Sequence, residues 1–267
     1  MGVNGGNTYE ITGLILTYNE EANIRRTLNQ LTWLPEILVV DSYSTDQTVS
    51  ICEEFDNVVV HQRGFDTHTD QWNFGLKICR QRTEWLLALD ADYYVTGKLV
   101  REIQNWLSQE EIPYNGFWVN FKYAIEGEVI DSGIYPPVQI LYRPGKAVYV
   151  KEGHTQRIKV EGRSGRFENE VIHDDRKSFD RWLINQNQYA RLEAAYLLNL
   201  KDKECLPGKQ DRLRVRSKFT PFLMFLYCIL ARSGWRDGKA GWLYAFQRLI
   251  AEVLLQYHMI LNRLKKD

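Results

Sequence analysis

Two carboxylates stand two residues apart at the end of an apolar run, Asp90 and Asp92 in "EWLLALDADYYV". If the run is a buried strand, both acids project to one side just past its end. Carboxylates concentrated there suit a hard divalent cation, which takes oxygen ligands and shares them with phosphate groups. Asp-x-Asp alone is common on loops and helix starts, so its position in the fold carries the argument. A second acid pair, Asp174 and Asp175, follows His173 in "IHDDRKS", just ahead of a long helical pattern.

The elements that must position these acids can be read in order. "ITGLIL" (11–16) is a strand ending at Thr17, Tyr18 and Asn19; a helix is expected to start at Asn19 as its cap, with Ile24, Leu28 and Leu31 on one face. "ILVV" (37–40) is a second strand that stops at Asp41, and Ser44 with Gln47 fits a capping box for the next helix. "VVV" (58–60) and "WLLAL" (85–89) are further strands. Helices are expected at about 70–80, with Trp72, Leu76 and Cys79 inward, and near 98–107. This alternation over the first ~110 residues predicts a parallel, doubly wound sheet. Ligands bind such sheets beyond the carboxyl ends of the strands. Three strands end at polar sites, Thr17–Glu20, Asp41–Ser42 and Asp90–Asp92, and should converge on one crevice.

After residue 110 the pattern changes. "GFWVNFKYAI" (116–125), "VQILYR" (138–143) and "YVKEGHTQRIKV" (149–160) read as antiparallel additions that complete the sheet. Residues 178–200 read as a long helix capped by Ser178, apolar at Phe179, Trp182, Leu183, Leu192 and Tyr196. The domain reading is 9–200 for the α/β domain, its halves 9–110 and 111–200, followed by a basic and amphipathic helical region, 201–267.

The totals narrow the function. A formal net charge of zero over 267 residues gives no bulk attraction for nucleic acid. Cys52, Cys79, Cys205 and Cys228 are scattered, form no CxxC pair and suggest free structural thiols without a zinc site. The leader "MGVNGGNTYE" has neither the basic nor the apolar part of a secretory signal and reads as flexible. No GxGxxG follows the first strand and no GxxxxGK[ST] occurs, so a diphosphate would be held by a metal and not by a glycine-rich loop. Residues 201–218 are basic and run into "FTPFLMFLYCILA" (219–231), which falls short of the roughly 20 residues of a spanning helix. A basic stretch beside a Phe- and Leu-rich segment fits a helix lying on an anionic membrane. The long amphipathic segment 240–266 could equally make a homo-oligomer.

"LILTYNEEANIRRTLNQL", "ILVVDSYSTDQTVSI", "QWNFGL" and "WLLALDADYYV", in this order, resemble the family 2 glycosyltransferases of GT-A fold: α/β, with a Rossmann-like, mostly parallel sheet flanked by helices, here with a C-terminal helical appendage. The resemblance spans about 9–200. "HDDRKSFDRWLINQNQYARLEA" and "GWRDGKAGWLYAFQRLIAE" are similar to the bacterial lipopolysaccharide core β-glucosyltransferase branch. The resemblance implies a UDP-sugar donor such as UDP-glucose, a glycan or lipid-linked acceptor, Mg²⁺ or Mn²⁺ as cofactor, and work at the cytoplasmic face of the plasma membrane. It implies that Thr17, Tyr18 and Glu20 line the nucleotide pocket, Asp41 bonds uracil or ribose, and Gln71 and Asn73 lie near the sugar nucleotide. Asp90 would contact ribose or a metal-bound water, and Asp92 would bind the metal. Transfer with inversion needs a base across the sugar from the metal, and Asp174 and Asp175 are the candidates, Asp175 being the choice. His173 would ligand the metal, donate to the diphosphate or serve the structure. His154 sits where relatives carry His-Glu, and Arg176 and Arg181 are candidate phosphate contacts. A nucleotidyltransferase of similar fold and a non-catalytic sugar-nucleotide scaffold are the rival readings; "TYNEEAN" lacks the glycine-rich basic loop of the first, and the second has no need of the 174–175 acids.

Overall fold

The computed structural model describes residues 9–152, 155–202 and 208–265; Met1–Thr8, His154, Lys203 and Cys205 lie outside the described residues. The chain divides into two compact units. The first comprises 1–122 and 135–176, and the second 123–134 and 177–267.

The first unit is built on a sheet. Its parallel strands are β1 (Tyr9–Thr17), β2 (Ile37–Asp41), β3 (Val58–Gln62) and β4 (Thr83–Asp90). β5 (Tyr93–Val95), β6 (Gly116–Ile125), β8 (Val138–Tyr142) and β11 (Ser164–His173) extend it in the order β3-β2-β1-β4-β8-β6-β11-β5. β8 runs antiparallel to β4 and β6, and β11 antiparallel to β5. The expected antiparallel completion is present for 116–125 and 138–143, whereas the strands of 149–160 pair with each other and stay outside this sheet. β9 (Ala147–Glu152) and β10 (Thr155–Val160) form a separate hairpin.

Both faces of β1, β2 and β4 are largely buried, which is why they read as apolar runs, while β3 lies at the edge and leaves Val59 exposed. Ile11, Ile15, Val39, Leu87 and Leu89 point to one side, where helices α1 (Ile24–Asn29) and α4 (Gly97–Leu107) supply Ile24, Leu28, Leu99 and Ile103. Leu14, Leu38, Val40, Leu86 and Ala88 point to the other, against Trp72, Leu76 and Cys79 of α3 (His68–Cys79). Thr67 and Thr96 cap α3 and α4, accepting from the N–H groups of Asp70 and Leu99. Gly75 of α3 lies so close to β1 that a Cβ would stand 2.6 Å from the Leu14 side chain. Cys52, Cys79 and Cys228 are free and buried, and burial pushes the thiols of Cys52 and Cys79 up to about 12, which keeps them unreactive.

Two local expectations fail. Asn19 does not cap α1: it takes left-handed backbone (φ 55°), and its side chain accepts from the Thr45 N–H at 2.8 Å. The helix starts four residues later than that cap would place it. Ser44 does not open a capping box; its hydroxyl bonds Asp41, and α2 (Thr48–Cys52) begins with no side-chain cap at Gln47. In both places the polar side chain is drawn across the loops instead of into its own helix.

The second unit is largely helical. It holds α5 (Phe179–Asp202), α6 (Lys209–Arg216), α7 (Thr220–Leu226) and α8 (Gly238–Leu264), with the hairpin of the last residues of β6 and β7 (Glu128–Ile130). Ser178 accepts from the Arg181 N–H at the start of α5, as expected. The packed face of α5 is Ala190, Ala194, Leu197 and Leu198, not Phe179 and Leu192, which are exposed. Ala190 and Ala194 share this face with Leu197 and Leu198, against Leu255 and Met259 of α8. A second cluster joins Ile125 and Ile130 to Cys228, Ile229, Tyr244 and Ala245. Glu252, 2% exposed, is held by the Arg214 guanidinium, so this member of the basic stretch is engaged inside the unit.

Candidate active site

Register alone brings three strand ends level. Thr17 pairs with Asp41 between β1 and β2, and Leu16 pairs with Asp90 between β1 and β4. Polar groups at these ends therefore share one edge of the sheet, as the spacing of the motifs predicts.

The first group surrounds Asp41, which is fully buried. Its carboxylate accepts from the Thr17 hydroxyl at 2.9 Å, the Ser44 N–H at 2.9 Å and the Gln62 amide at 3.3 Å. Gln71 stands behind: its Nε2 donates to the Ser42 hydroxyl at 2.8 Å and its Oε1 accepts from Arg63 at 2.6 Å. Tyr18 and Tyr43 are about half exposed at these loops, and Tyr43, like Asn19, has left-handed backbone. Asn73 is separate from this group. Its side chain accepts from the Tyr149 N–H at 3.0 Å and donates to the Tyr149 carbonyl at 2.9 Å, pinning α3 to β9 as a strand neighbour would. Trp72 stacks on Tyr149 in the core, with ring centres 5.1 Å apart.

The second group gathers the two acid pairs. β5 places Tyr93 opposite His173 of β11. This brings His173 Nε2 to 3.1 Å from Asp92 Oδ2. The Asp174 N–H donates to the Asp92 carbonyl at 3.0 Å, so the chain after β11 is stitched to the Asp90–Asp92 turn. Burial lowers the pKa of His173, but the charges of Asp92, Asp175 and Asp90 outweigh it and leave the imidazole raised. Burial, with Asp90 and Asp92 beside it, pushes the Tyr93 phenol well up, which keeps it a neutral hydrogen-bonding group. Phe121 and Tyr135 stack with ring centres 5.0 Å apart, and both rings lie beside His173.

The neighbours Asp174 and Asp175 differ sharply. Asp174 is 5% exposed and is gripped by two guanidiniums. Arg26 reaches its Oδ2 at 3.1 Å and also its carbonyl, and Arg176 Nε is 2.9 Å from both carboxylate oxygens. A carboxylate so held is committed to these contacts and is turned away from a substrate. Asp175 is only partly buried and accepts from the Asn23 amide at 2.8 Å. The same Asn23 amide donates to Glu20 at 2.9 Å. Asn23 and Arg26 went unnoticed in the sequence, because their partners lie 152 and 148 residues away. Arg181 belongs to α5 in the second unit.

Among the described residues no three His, Cys, Asp or Glu side chains converge as a self-sufficient metal site. The Asp92–His173 pair fits a cation that completes its shell with water and diphosphate oxygens, the usual habit of Mg²⁺ at phosphate sites. Mn²⁺ also tolerates an imidazole nitrogen. The surplus of carboxylate charge here is the electrostatic condition for holding such an ion.

A sheet of this order, with acids at the carboxyl ends of β2 and β4, is that of a GT-A fold. The chain belongs to glycosyl transferase family 2, whose family model matches residues 14–149. Membership makes it a glycosyltransferase and removes the nucleotidyltransferase and scaffold readings. The chain is 27% identical to the lipopolysaccharide core biosynthesis glycosyltransferase LpsC of Rhizobium meliloti (strain 1021), over 96% of each chain. An uncharacterized glycosyltransferase of Rickettsia bellii (strain RML369-C) is 37% identical over 36% of this chain and 32% of its own length. The fold matches the crystal structure of S. aureus TarS 1–349 in complex with UDP-GlcNAc at a TM-score of 0.51. That match has 16% identity and covers 96% of this chain and 92% of that one.

Proposed function

We propose that the chain is an inverting, metal-dependent hexosyltransferase that uses a UDP-sugar and extends a lipopolysaccharide core glycan or a related lipid-linked acceptor. One observation carries the reading: Asp92, His173 and Asp175 come together at the strand ends, while Asp174 is bound away by arginines. The acceptor and the donor class follow the full-length similarity to LpsC and the fold shared with TarS, whose crystal structure holds UDP-GlcNAc.

In this reading the acceptor hydroxyl oxygen attacks the anomeric carbon of the donor sugar. The bond from that carbon to the diphosphate oxygen breaks, UDP leaves with the electron pair, and configuration inverts. The hydroxyl proton passes to the Asp175 carboxylate. Asp92 and His173 would hold a divalent cation, whose positive charge stabilises the departing diphosphate. Tyr18 and Glu20 would line the nucleoside, with the buried Thr17–Asp41 pair fixing the loops that carry them and Gln71 bracing Ser42 and Arg63 behind. Asp90 would contact ribose or a metal-bound water. Asn73, bonded to β9, would shape the pocket from outside.

The test is UDP release from a panel of UDP-hexoses with truncated-core lipopolysaccharide as acceptor, with Mn²⁺ and with EDTA. One UDP-hexose turned over only with metal is the expected result; turnover that is unaffected by EDTA excludes the metal-dependent mechanism.

The second unit supports a further part of the reading, attachment to the inner face of the plasma membrane. No described helix is long and apolar enough to cross a membrane. Yet Phe219, Phe222, Leu226, Leu230, Trp242 and Phe246 are exposed on or beside α7 and α8, in the same unit as exposed Arg212, Arg216 and Lys218. Apolar rings with flanking cations suit an interface with anionic lipid. Phe219→Ser with Phe222→Ser is expected to lower flotation with phosphatidylglycerol vesicles severalfold without altering UDP release. Unchanged flotation would remove this face as the anchor, and a dimer that dissociates in the double variant would assign it to self-association.

A further inference from the structure

Helix α1 reaches the site through one turn. Asn23, Arg26 and Thr27 stand at i, i+3 and i+4 and so share a face. The Thr27 hydroxyl bonds the carbonyls of Ala91 and Tyr93 at 2.6 and 3.0 Å, holding the turn that carries Asp92. Arg26 holds Asp174. Asn23 occupies the cap position of α1 but makes no side-chain bond to its own helix. An Asn there usually caps the free N–H groups of its helix. Here the side chain, 1% exposed, is spent across the fold. Its Nδ2 donates to Glu20 Oε2 at 2.9 Å and to Asp175 Oδ1 at 2.8 Å, and its Oδ1 accepts from the Arg176 N–H at 2.9 Å.

We infer that Asn23 is a positioning residue for glycosyl transfer, one that fixes the orientation of the Asp175 carboxylate and ties it to the loop after β1. The inference rests on Asp175 being the base. The physical need is plain. A base on a loop can rotate about its side-chain torsions, and a misplacement of about 1 Å can cost 10²-fold in rate. A buried amide that donates to one oxygen of the carboxylate and accepts from the next residue's N–H fixes both the side chain and the backbone that carries it. The bond to Glu20 brings the residue read as lining the nucleotide pocket into the same frame, so one side chain bonds both the donor loop and the base.

The test is a double-mutant cycle between Asn23→Asp and Asp175→Asn. Asn23→Asp keeps the shape and the oxygen facing Arg176 but also sets a negative charge against Glu20 and Asp175, so Asn23→Ser, which removes the donor without adding a charge, is measured beside it and must show the same pattern. UDP release is measured with the UDP-hexose the wild-type chain turns over, together with UDP affinity by calorimetry and the thermal midpoint. Asn23→Asp is expected to lower kcat about 10²-fold with UDP affinity retained, and to cause no further loss when Asp175 is already Asn. Asn23→Ser alone carries the cycle if the aspartate variant does not fold. Losses that multiply in the double variant overturn the inference, as does a fall in kcat matched by an equal loss of UDP affinity and of the thermal midpoint. Full activity in Asp175→Asn alone is a different result: it removes the base itself, and the positioning role with it.

Discussion

Asp175→Asn is expected to lower transfer about 10³-fold, in the range that general-base catalysis supplies, while the protein keeps its stability. Asp174→Asn is expected to do the reverse. The two residues are adjacent and chemically identical, so the difference is one of surroundings. Asp174 is buried and engages Arg26 and Arg176, and losing its charge weakens charge-assisted hydrogen bonds worth about 1.5–3 kcal/mol each. Both arginines are partly solvated, which reduces the cost, so about 2 kcal/mol overall is expected from chemical denaturation. Asp175 is only partly buried and accepts from the Asn23 amide at 2.8 Å, a bond that the carbonyl oxygen of its amide isostere can still accept. Steady-state kinetics and denaturation of both variants test this directly. Equal kinetic losses in the two would assign Asp175 no special role.

The second large effect is expected at Asp92. Asp92→Ala should reduce UDP release by about 10³-fold or more, equivalent to the several kcal/mol that a cation contributes at a developing phosphate charge. Alanine removes the carboxylate that faces His173 at 3.1 Å and leaves the imidazole among Asp90 and Asp175. The chain should still fold, because the backbone bond from Asp174 to the Asp92 carbonyl does not need the side chain. Retained metal-stimulated turnover in Asp92→Ala would move the cation elsewhere in the pocket.

The parallel half of the fold was legible because its physics is local. Strands buried on both faces read as apolar runs, each ends where a polar residue begins, and the register of Thr17 with Asp41 and Leu16 with Asp90 follows. The two acid pairs were legible as pairs. Their division of labour was not, since it depends on Arg26 reaching Asp174 from 148 residues away. Asn19 and Ser44 misled for the same reason: each looked like a helix cap, and each spends its side chain on the other loop. One signal did exist. Thr27 is a buried polar residue between the core positions Ile24 and Leu28, and a polar residue inside an apolar face must have a partner nearby. Following that face back to Asn23 and Arg26 would have found the frame of the site. In α5 the apolar positions did not reveal the packed face, which is made by Ala190, Ala194, Leu197 and Leu198.

The most direct measurement is calorimetric titration of UDP into the wild-type chain and into Asp92→Ala, each with Mn²⁺ and with EDTA. The account predicts that UDP binds the wild-type chain with Mn²⁺, that EDTA weakens binding by at least about tenfold, a difference of 1.4 kcal/mol, and that Asp92→Ala behaves as the EDTA sample does. Failure of UDP to bind in any of these conditions, or binding that ignores both the metal and Asp92, would contradict it.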